Sequence, residues 1–465
     1  MRRSLRAAVL LSALTAVSRP SGGALGPRYG GELVVGVPRL ASSATPPWVP
    51  RVTGDALATR LVHEGLVRLG PEGFPLPALA ERWTAAASGS EWTLAIAPTA
   101  RFQDDRPVTA EDAVRSLRRF LRSPSPAAGR LAATLEGGLA FRSGARAELP
   151  GLAAPDAQRI VLRFEAPLAA PLSPLAAPAA AVTGALGAGC GPFVPLLPVP
   201  GRSLALAAFG AHVRGRPFLD RLKLVTFADG SEARSDLHEG GLDLVADQAG
   251  ESRLAATLVL LLDPSRPPFD RPSSRDAVAA ALEREALAAL VPGAEARPQL
   301  LAPHLLRGQP ELPAARESLQ GAVVMAVGSD VPPLVSQRIV AQLEALGLRT
   351  TVKPADPDST PTARAVVRLF RWAPELPEPG LALRELLSLA PASRLVRDAV
   401  EAADLELDLN RRRALLEEAE AALRADRVLV PLALVPAAFA VRPGVHGARL
   451  DAAGRLLLED AWLEP

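Results

Sequence analysis

The chain has 465 residues, 48% of them hydrophobic, and a formal net charge of +2. That apolar fraction supports a large buried core, and the pairing of low hydropathy with high net charge that marks disorder is absent. A single cysteine, Cys190, excludes an intrachain disulfide and a thiolate metal cluster.

At roughly 100–200 residues per domain, the length predicts two or three domains. Lys223 and Lys353 are the only lysines among 52 basic residues, so the basic side is nearly all Arg. Abundant Ala and 46 Pro accompany it, which reads as a coding bias. The 50 acidic residues interleave with the basic ones. No sustained basic run with interleaved aromatics occurs, so no nucleic-acid partner is predicted. The five histidines (63, 212, 238, 304 and 446) are scattered, with no two in metal-ligand spacing. No metal and no cofactor are predicted. G-x-S-x-G, Walker A and H-E-x-x-H patterns are absent, which leaves hydrolase, nucleotide and zinc-protease readings without support.

Taken in chain order, Arg2, Arg3 and Arg6 form a positive n-region. Ala7 to Val17 is mostly apolar, and small residues follow through Ala24. This layout predicts a secretory signal peptide over 1–24, cleaved after Ser18 or after Ala24. The run is too short to span a bilayer, which needs about 20 apolar residues. No Cys lies near it for lipid attachment, so the mature chain is expected to be exported, soluble and periplasmic. Gly31 to Val37 reads as a buried strand closed by Pro38. Residues 56–69 carry apolar positions at 57, 61, 62 and 66, a helical stripe. Trp92 to Ala97 alternates as a half-buried strand does. Asp104 to Pro107 is turn chemistry, and Thr109 with Asp112 forms a variant capping box. Ala113, Val114, Leu117, Phe120 and Leu121 make the apolar face of the helix that follows. Pro167 to Pro200 is a Pro-punctuated stretch of turns.

Further along, Leu254 to Leu262 reads as a buried strand ending at Asp263. Ser274 is expected to cap a helix running to about Leu290. An apolar face from Leu334 to Leu346 predicts a helix, Gly347 its left-handed end, and Leu348 to Val352 a returning strand. Asn410 to Leu423 reads as a helix, and Val428 to Val435 as a strand interrupted by Pro431. Mixed strands and helices over this length predict an α/β or α+β multidomain protein.

Several segments, in this order, resemble the family 5 extracellular solute-binding proteins, the peptide and nickel receptors of ABC importers. Tyr29 to Val37 is similar to the family's first strand, and Leu61 to Arg68 resembles its "VYEGLVR" segment. Pro75 to Trp83 resembles "PxPxLAxxW". Phe102 to Asp112 resembles "FHDGxPVTAEDV", the most specific piece, because turn, proline, cap and helix start fall in one fixed arrangement. Gly189 to Phe193, Arg216 to Asp220, Pro268 to Val278, Val430 to Leu432 and Trp462 continue the pattern.

The resemblance implies an α/β, two-lobed Venus-flytrap fold with an inserted subdomain in the first lobe. By the matched positions, lobe I takes 30–62, 172–247 and 434–465, the insert 63–171, and lobe II 248–433. It also implies a small ligand, most simply a short peptide, an inner-membrane ABC permease as partner, a monomer, and no bond made or broken. In peptide-binding members an acid in "W-x-x-D-Y-P-D-P" pairs with the peptide's amine. Here the stretch is Trp372 to Pro379, and Glu375 stands at the acid's place. Trp372, Glu375, and Ser42 and Ser43 after the first strand are the candidate ligand-binding residues; each also reads as plain core or loop. His212 and His238 are weighed as nickel ligands against surface or hinge histidines, and Cys190 as a reactive thiol against a structural one. The family's "NPxYWGG" aromatics are missing at 209–215, and the second lobe looks compressed. The alternative is therefore a degenerate member with a reduced or closed cleft, serving as an interaction or sensory protein.

Overall fold

The computed structural model describes residues 26–40, 53–70, 73–196, 199–307, 318–355, 365–390 and 393–464. The expected signal segment, Ser42 and Ser43 lie outside the described residues.

The frame is a nine-stranded sheet. Its strands are β1 (Glu32–Val37), β2 (Phe193–Pro195), β3 (Ser203–Ala208), β4 (Arg221–Thr226), β5 (Leu244–Leu262), β6 (Gly321–Gly328), β7 (Leu348–Ala355), β8 (Val367–Trp372) and β9 (Leu429–Val441). The order is β7-β6-β8-β5-β1-β4-β3-β2, with β9 also paired to β5. β1 runs parallel to β4, and its Leu33, Val35 and Val37 are buried with Leu222 and Leu224. Central parallel strands need both faces covered, which suits this apolar content.

β5 is longer than its apolar run predicts. Leu258 to Leu262 pair antiparallel with β8, as expected of a buried strand. Leu244 and Val245 pair with Val35 and Gly36 of β1. One strand therefore serves both halves of the sheet. β9 follows it antiparallel from Leu261↔Leu429 to Leu244↔Val441. Register shifts occur at Ala246/Glu251, Leu254/Ala256 and Leu258/Val259. Pro436 pairs with Leu254, and Pro431 with Val259, both beside these shifts. A residue without an N–H is tolerated where the ladder is already irregular. Pro431 thus does not interrupt β9.

The insert is built around a four-stranded sheet, Ala80–Ala85, Glu91–Ile96, Arg159–Arg163 and Leu152–Ala153, whose core also takes in Leu172, Leu175, Val182 and Cys190. The capping box is formed as read. Asp112 N donates to Thr109 Oγ1 (3.3 Å) and Thr109 N to Asp112 Oδ2 (3.1 Å), opening the helix Ala110–Leu121. Arg106 and Arg115 also bind the Asp112 carboxylate. After the opposing cost of burial, these bonds bring its pKa down to about 2. Gln103, in the turn before it, donates to the carbonyls of Val62 (3.0 Å), Gly191 (3.3 Å) and Phe193 (2.8 Å). The signature turn thereby bolts the insert to the first lobe.

Two helix expectations need correction. The stripe over 56–69 is a helix only over Thr53–Val62; Val67–Leu69 is a strand paired with Pro75–Pro77. Glu64 leaves the helical path because its carbonyl accepts from Val182 N (3.0 Å) and its carboxylate turns inward to His212 and Arg214. Ser274 caps nothing. The helix begins two residues earlier at Pro272, which suits a first turn, and ends at Ala281; a separate helix covers Arg284–Ala288. The break lets Leu282 and Leu287 enter the same core. The helix Pro333–Ala345 and its end agree with the reading: Gly347 has φ +97°, and a Cβ there would lie 2.0 Å from the Leu319 carbonyl oxygen. Among the described residues, no helix is long and apolar enough to cross a membrane.

Near the C-terminus, the short strands Arg449–Leu450 and Leu456–Leu457 form a hairpin whose tip lies on the β5–β9 ladder. A Cβ at Gly454 would stand 2.5 Å from Ala255 Cβ and 2.6 Å from Ala437 Cβ, and its φ is +74°. Gly454→Ala is therefore expected to destabilise the chain by about 2–3 kcal/mol through strain and overpacking. A urea midpoint equal to wild type would refute this close seating.

Candidate functional site

The loop after β8 is held from three sides. Trp372 is buried in the second-lobe core, and its indole Nε1 donates to Glu385 Oε1 (3.1 Å). Glu375 N donates to Glu385 Oε2 (2.9 Å). Ser125 Oγ, at the start of the insert helix Pro126–Thr134, donates to Glu375 Oε2 (2.9 Å). Arg455 Nη1, from the C-terminal hairpin, donates to the Glu375 carbonyl (2.7 Å). Glu385 thus joins Trp372 and Glu375, the two described residues that the sequence marks for the site.

Among the described residues, no cation pairs with either carboxylate. Burial raises the pKa of Glu375, against the Ser125 hydrogen bond and the more distant Arg455. Burial and the neighbouring Glu375 raise Glu385 to about 7, against its two hydrogen bonds. Two adjoining acids in a low-dielectric setting favour an incoming ammonium strongly, because water screens the attraction poorly there.

The surrounding contacts are ion pairs, of which Arg130–Asp404 joins the insert to the second lobe and the others lie within the second lobe. Arg130 is fully buried and donates to Asp404 Oδ1 from Nε (3.1 Å) and Nη2 (2.9 Å). Arg384 takes the other oxygen of Asp404 from the same lobe. Arg412 Nη2 holds Glu378 Oε1 (2.6 Å), and Glu378 caps the helix Pro379–Leu389. These guanidiniums overcome burial and keep Asp404 and Glu378 below the usual carboxylate range. Leu376 and Leu381 are buried in the insert's core. Paired acids therefore flank the unpaired ones.

A cavity of about 370 Å³ adjoins this loop, walled by Phe74, Trp83, Trp92, Pro377, Leu409 and Arg412. Trp83 lies opposite Leu94, and Ala85 opposite Trp92, so both tryptophans fall on one sheet face. Small-ligand sites usually show this size and mixture of aromatic wall with few polar groups. The sequence reading missed these walls. Trp83 was visible only as the end of the "PxPxLAxxW" match and Trp92 only as a strand residue, and Ser125, Glu385 and Arg455 carried no motif that points at a ligand.

Other candidates resolve as structure. His212 is buried rather than at the surface, with Nε2 3.2 Å from Glu64 Oε2 and Nδ1 3.3 Å from the Gly215 carbonyl. His238 is exposed on the helix Gly230–Glu239. Among the described residues, no three His, Cys, Asp or Glu side chains gather as metal ligands do. Cys190 is buried beside the Val182 carbonyl (3.3 Å), and burial pushes its thiol up to about 12, which removes the thiolate needed for reactivity.

The raised acids fix a sign. Glu385 moves from 4.5 to about 7 on folding. The stability linked to it is fully present below the unfolded value and is lost as pH rises through about 7. The melting temperature should fall between pH 5 and pH 8, and Glu385→Gln should flatten that slope, by on the order of 1–3 kcal/mol at pH 8. Equal slopes for both proteins in a thermal-melt series would place the titration elsewhere.

Residues 75–389 match the model for the middle region of bacterial extracellular solute-binding proteins, family 5. The fold is similar to that of the Escherichia coli murein tripeptide binding protein MppA. The TM-score is 0.80 at 17% identity, covering 93% of this chain and 98% of that one. It is also similar to the Helicobacter pylori periplasmic binding protein DppA in complex with the peptide STSA, with TM-score 0.78, 16% identity, and 93% and 99% covered. The dipeptide-binding protein DppE of Bacillus subtilis is 36% identical over 84 residues, which span 18% of this chain and 16% of that relative. With its two-lobed α/β fold and a match over most of its length, this chain belongs to the bacterial extracellular solute-binding proteins of family 5.

Proposed function

We propose that the chain captures a small amine-bearing solute, most simply a short peptide, outside the cytoplasmic membrane and delivers it to an inner-membrane ABC permease. The observation that carries this reading is the pair Glu375 and Glu385, half-buried together, with no cation paired to either carboxylate among the described residues. The ligand's ammonium would supply the missing charge, displacing the Ser125 hydroxyl or sharing Glu375 with it. Glu375 is one methylene longer than the family's Asp, so the amine sits further back, towards the aromatic-walled cavity. Main-chain hydrogen bonds and charge pairing at the termini would hold peptides of varied sequence.

In this reading lobe I comprises 30–62, 172–247 and 434–465 with the insert 63–171, and lobe II is 248–433. The boundaries at 247 and 433 fall in β5 and β9, whose register shifts make this ladder the natural hinge. The protein acts as a periplasmic monomer, carries out no reaction, and binds neither nucleic acid nor cofactor.

A second reading has its own observation. Ser125 already occupies Glu375, and Leu376 with Leu381 is packed into the insert, so the lobes meet where the guest would enter. A member that keeps this contact closed would serve as an interaction or sensory protein.

Calorimetric titration of the mature chain with mixed di- to pentapeptides separates the two. Capture predicts saturable binding, loss on N-acetylation of the peptide, and at least about tenfold weaker binding for Glu375→Gln. No heat and no thermal shift with any peptide would sink capture and leave the second reading.

A further inference from the structure

A second polar cavity, of about 100 Å³, lies between the first lobe and the insert, apart from the aromatic-walled one. Four guanidiniums line it, from Arg60, Arg68, Arg214 and Arg455, facing the carboxylates of Glu64, Asp451 and Glu459. His63 also lines it.

Two of the acids are already committed. Glu64 accepts from His212 Nε2 (3.2 Å) and Arg214 Nη2 (3.2 Å). Asp451 accepts from Ala453 N (2.9 Å), Arg455 N (2.8 Å) and Arg455 Nε (2.6 Å). Among the described residues, Arg60 donates a hydrogen bond to the Leu456 carbonyl (2.7 Å) and no ion pair joins it. Arg68 is the sharper case: its Nε is buried and has no hydrogen-bond partner. Burial first, and like charge second, lower the pKa of both, from Arg455 on Arg60 and from Arg214 on Arg68. Glu64, Glu459 and Asp460 also act on Arg68 through charge, yet none accepts from its buried Nε–H, and a buried donor without an acceptor is costly.

We infer that this cavity is a binding site for a small oxyanion group, a carboxylate or phosphate, held by Arg60 and Arg68. The volume suits one such group with a water or two, since a water takes about 30 Å³ of liquid. Planar guanidinium forks match the paired oxygens of either ion. The strand Val67–Leu69 places Arg68, and the last turn of the helix Thr53–Val62 places Arg60, so both groups come from rigid elements. The site does not depend on peptide capture at Glu375. The two share only Arg455, which lines the cavity and donates to the Glu375 carbonyl.

The test uses the mature chain without peptide. Thermal melts are run with sodium acetate, sodium phosphate and sodium chloride at matched ionic strength, for wild type, Arg68→Gln, Arg68→Lys and Glu375→Gln. Saturable stabilisation by acetate, phosphate or both, about 2 °C or more beyond chloride, is expected for wild type and Glu375→Gln. Whichever ion acts names the source. Arg68→Gln should weaken the response at least about tenfold in midpoint concentration, and Arg68→Lys should restore part of it. A response equal to chloride, or one unchanged in Arg68→Gln, overturns the inference and assigns the space to water. Should Arg68→Gln fail to fold, the comparison of wild type with Arg68→Lys decides by the same criterion. Because Glu375→Gln is expected to keep this response while losing peptides, the two proposals fail separately.

Discussion

The antiparallel ladder between Leu244–Leu262 and Leu429–Val441 is the constraint on which the rest of the structure depends. Its first part is extended into the first lobe by β1, and its second part into the second lobe by β8. Each lobe can then build a separate core, because the strands that join them already satisfy their backbone groups on one another. The register shifts and the two prolines of β9 interrupt the regular ladder between these pairings. The C-terminal hairpin seats Gly454 against both strands, and from there Arg455 reaches the Glu375 backbone.

Around that loop, charge is sorted by pairing. Asp404 with Arg130 and Arg384, and Glu378 with Arg412, are satisfied, and the Arg130–Asp404 pair holds the insert against the second lobe. Such pairs contribute little net energy, because desolvation offsets the Coulomb gain, yet removing one partner costs about 3–5 kcal/mol. They specify geometry more than they add stability. Glu375 and Glu385 sit among them without a counter-charge, which is a standing electrostatic demand. An excess of guanidinium over free carboxylate makes the opposite demand in the cavity beside Arg68.

Much of the fold was legible because the relevant signals are local. The capping box at Thr109 and Asp112, the left-handed Gly347 and the apolar alternation near Trp92 each depend on a few neighbouring residues. Errors arose where distant partners override the local pattern. The stripe over 56–69 reads as helix until Glu64 finds Val182, His212 and Arg214, all more than a hundred residues away. Pro431 reads as a break until its position beside a register shift is known.

The amino-acid order alone determined the family pattern, the mixed α/β character and the acid at position 375, since motif spacing and periodicity survive without knowledge of the fold. Only tertiary structure decided that Glu385, ten residues on, adjoins Glu375, that Trp83 and Trp92 share a cavity wall, and that the buried Nε–H of Arg68 meets no acceptor among the described residues. The physical reason is that burial and charge balance are properties of what surrounds a group. Here the surroundings come from segments such as Ser125 and Arg455, which lie 330 positions apart in the chain and meet only when it is folded.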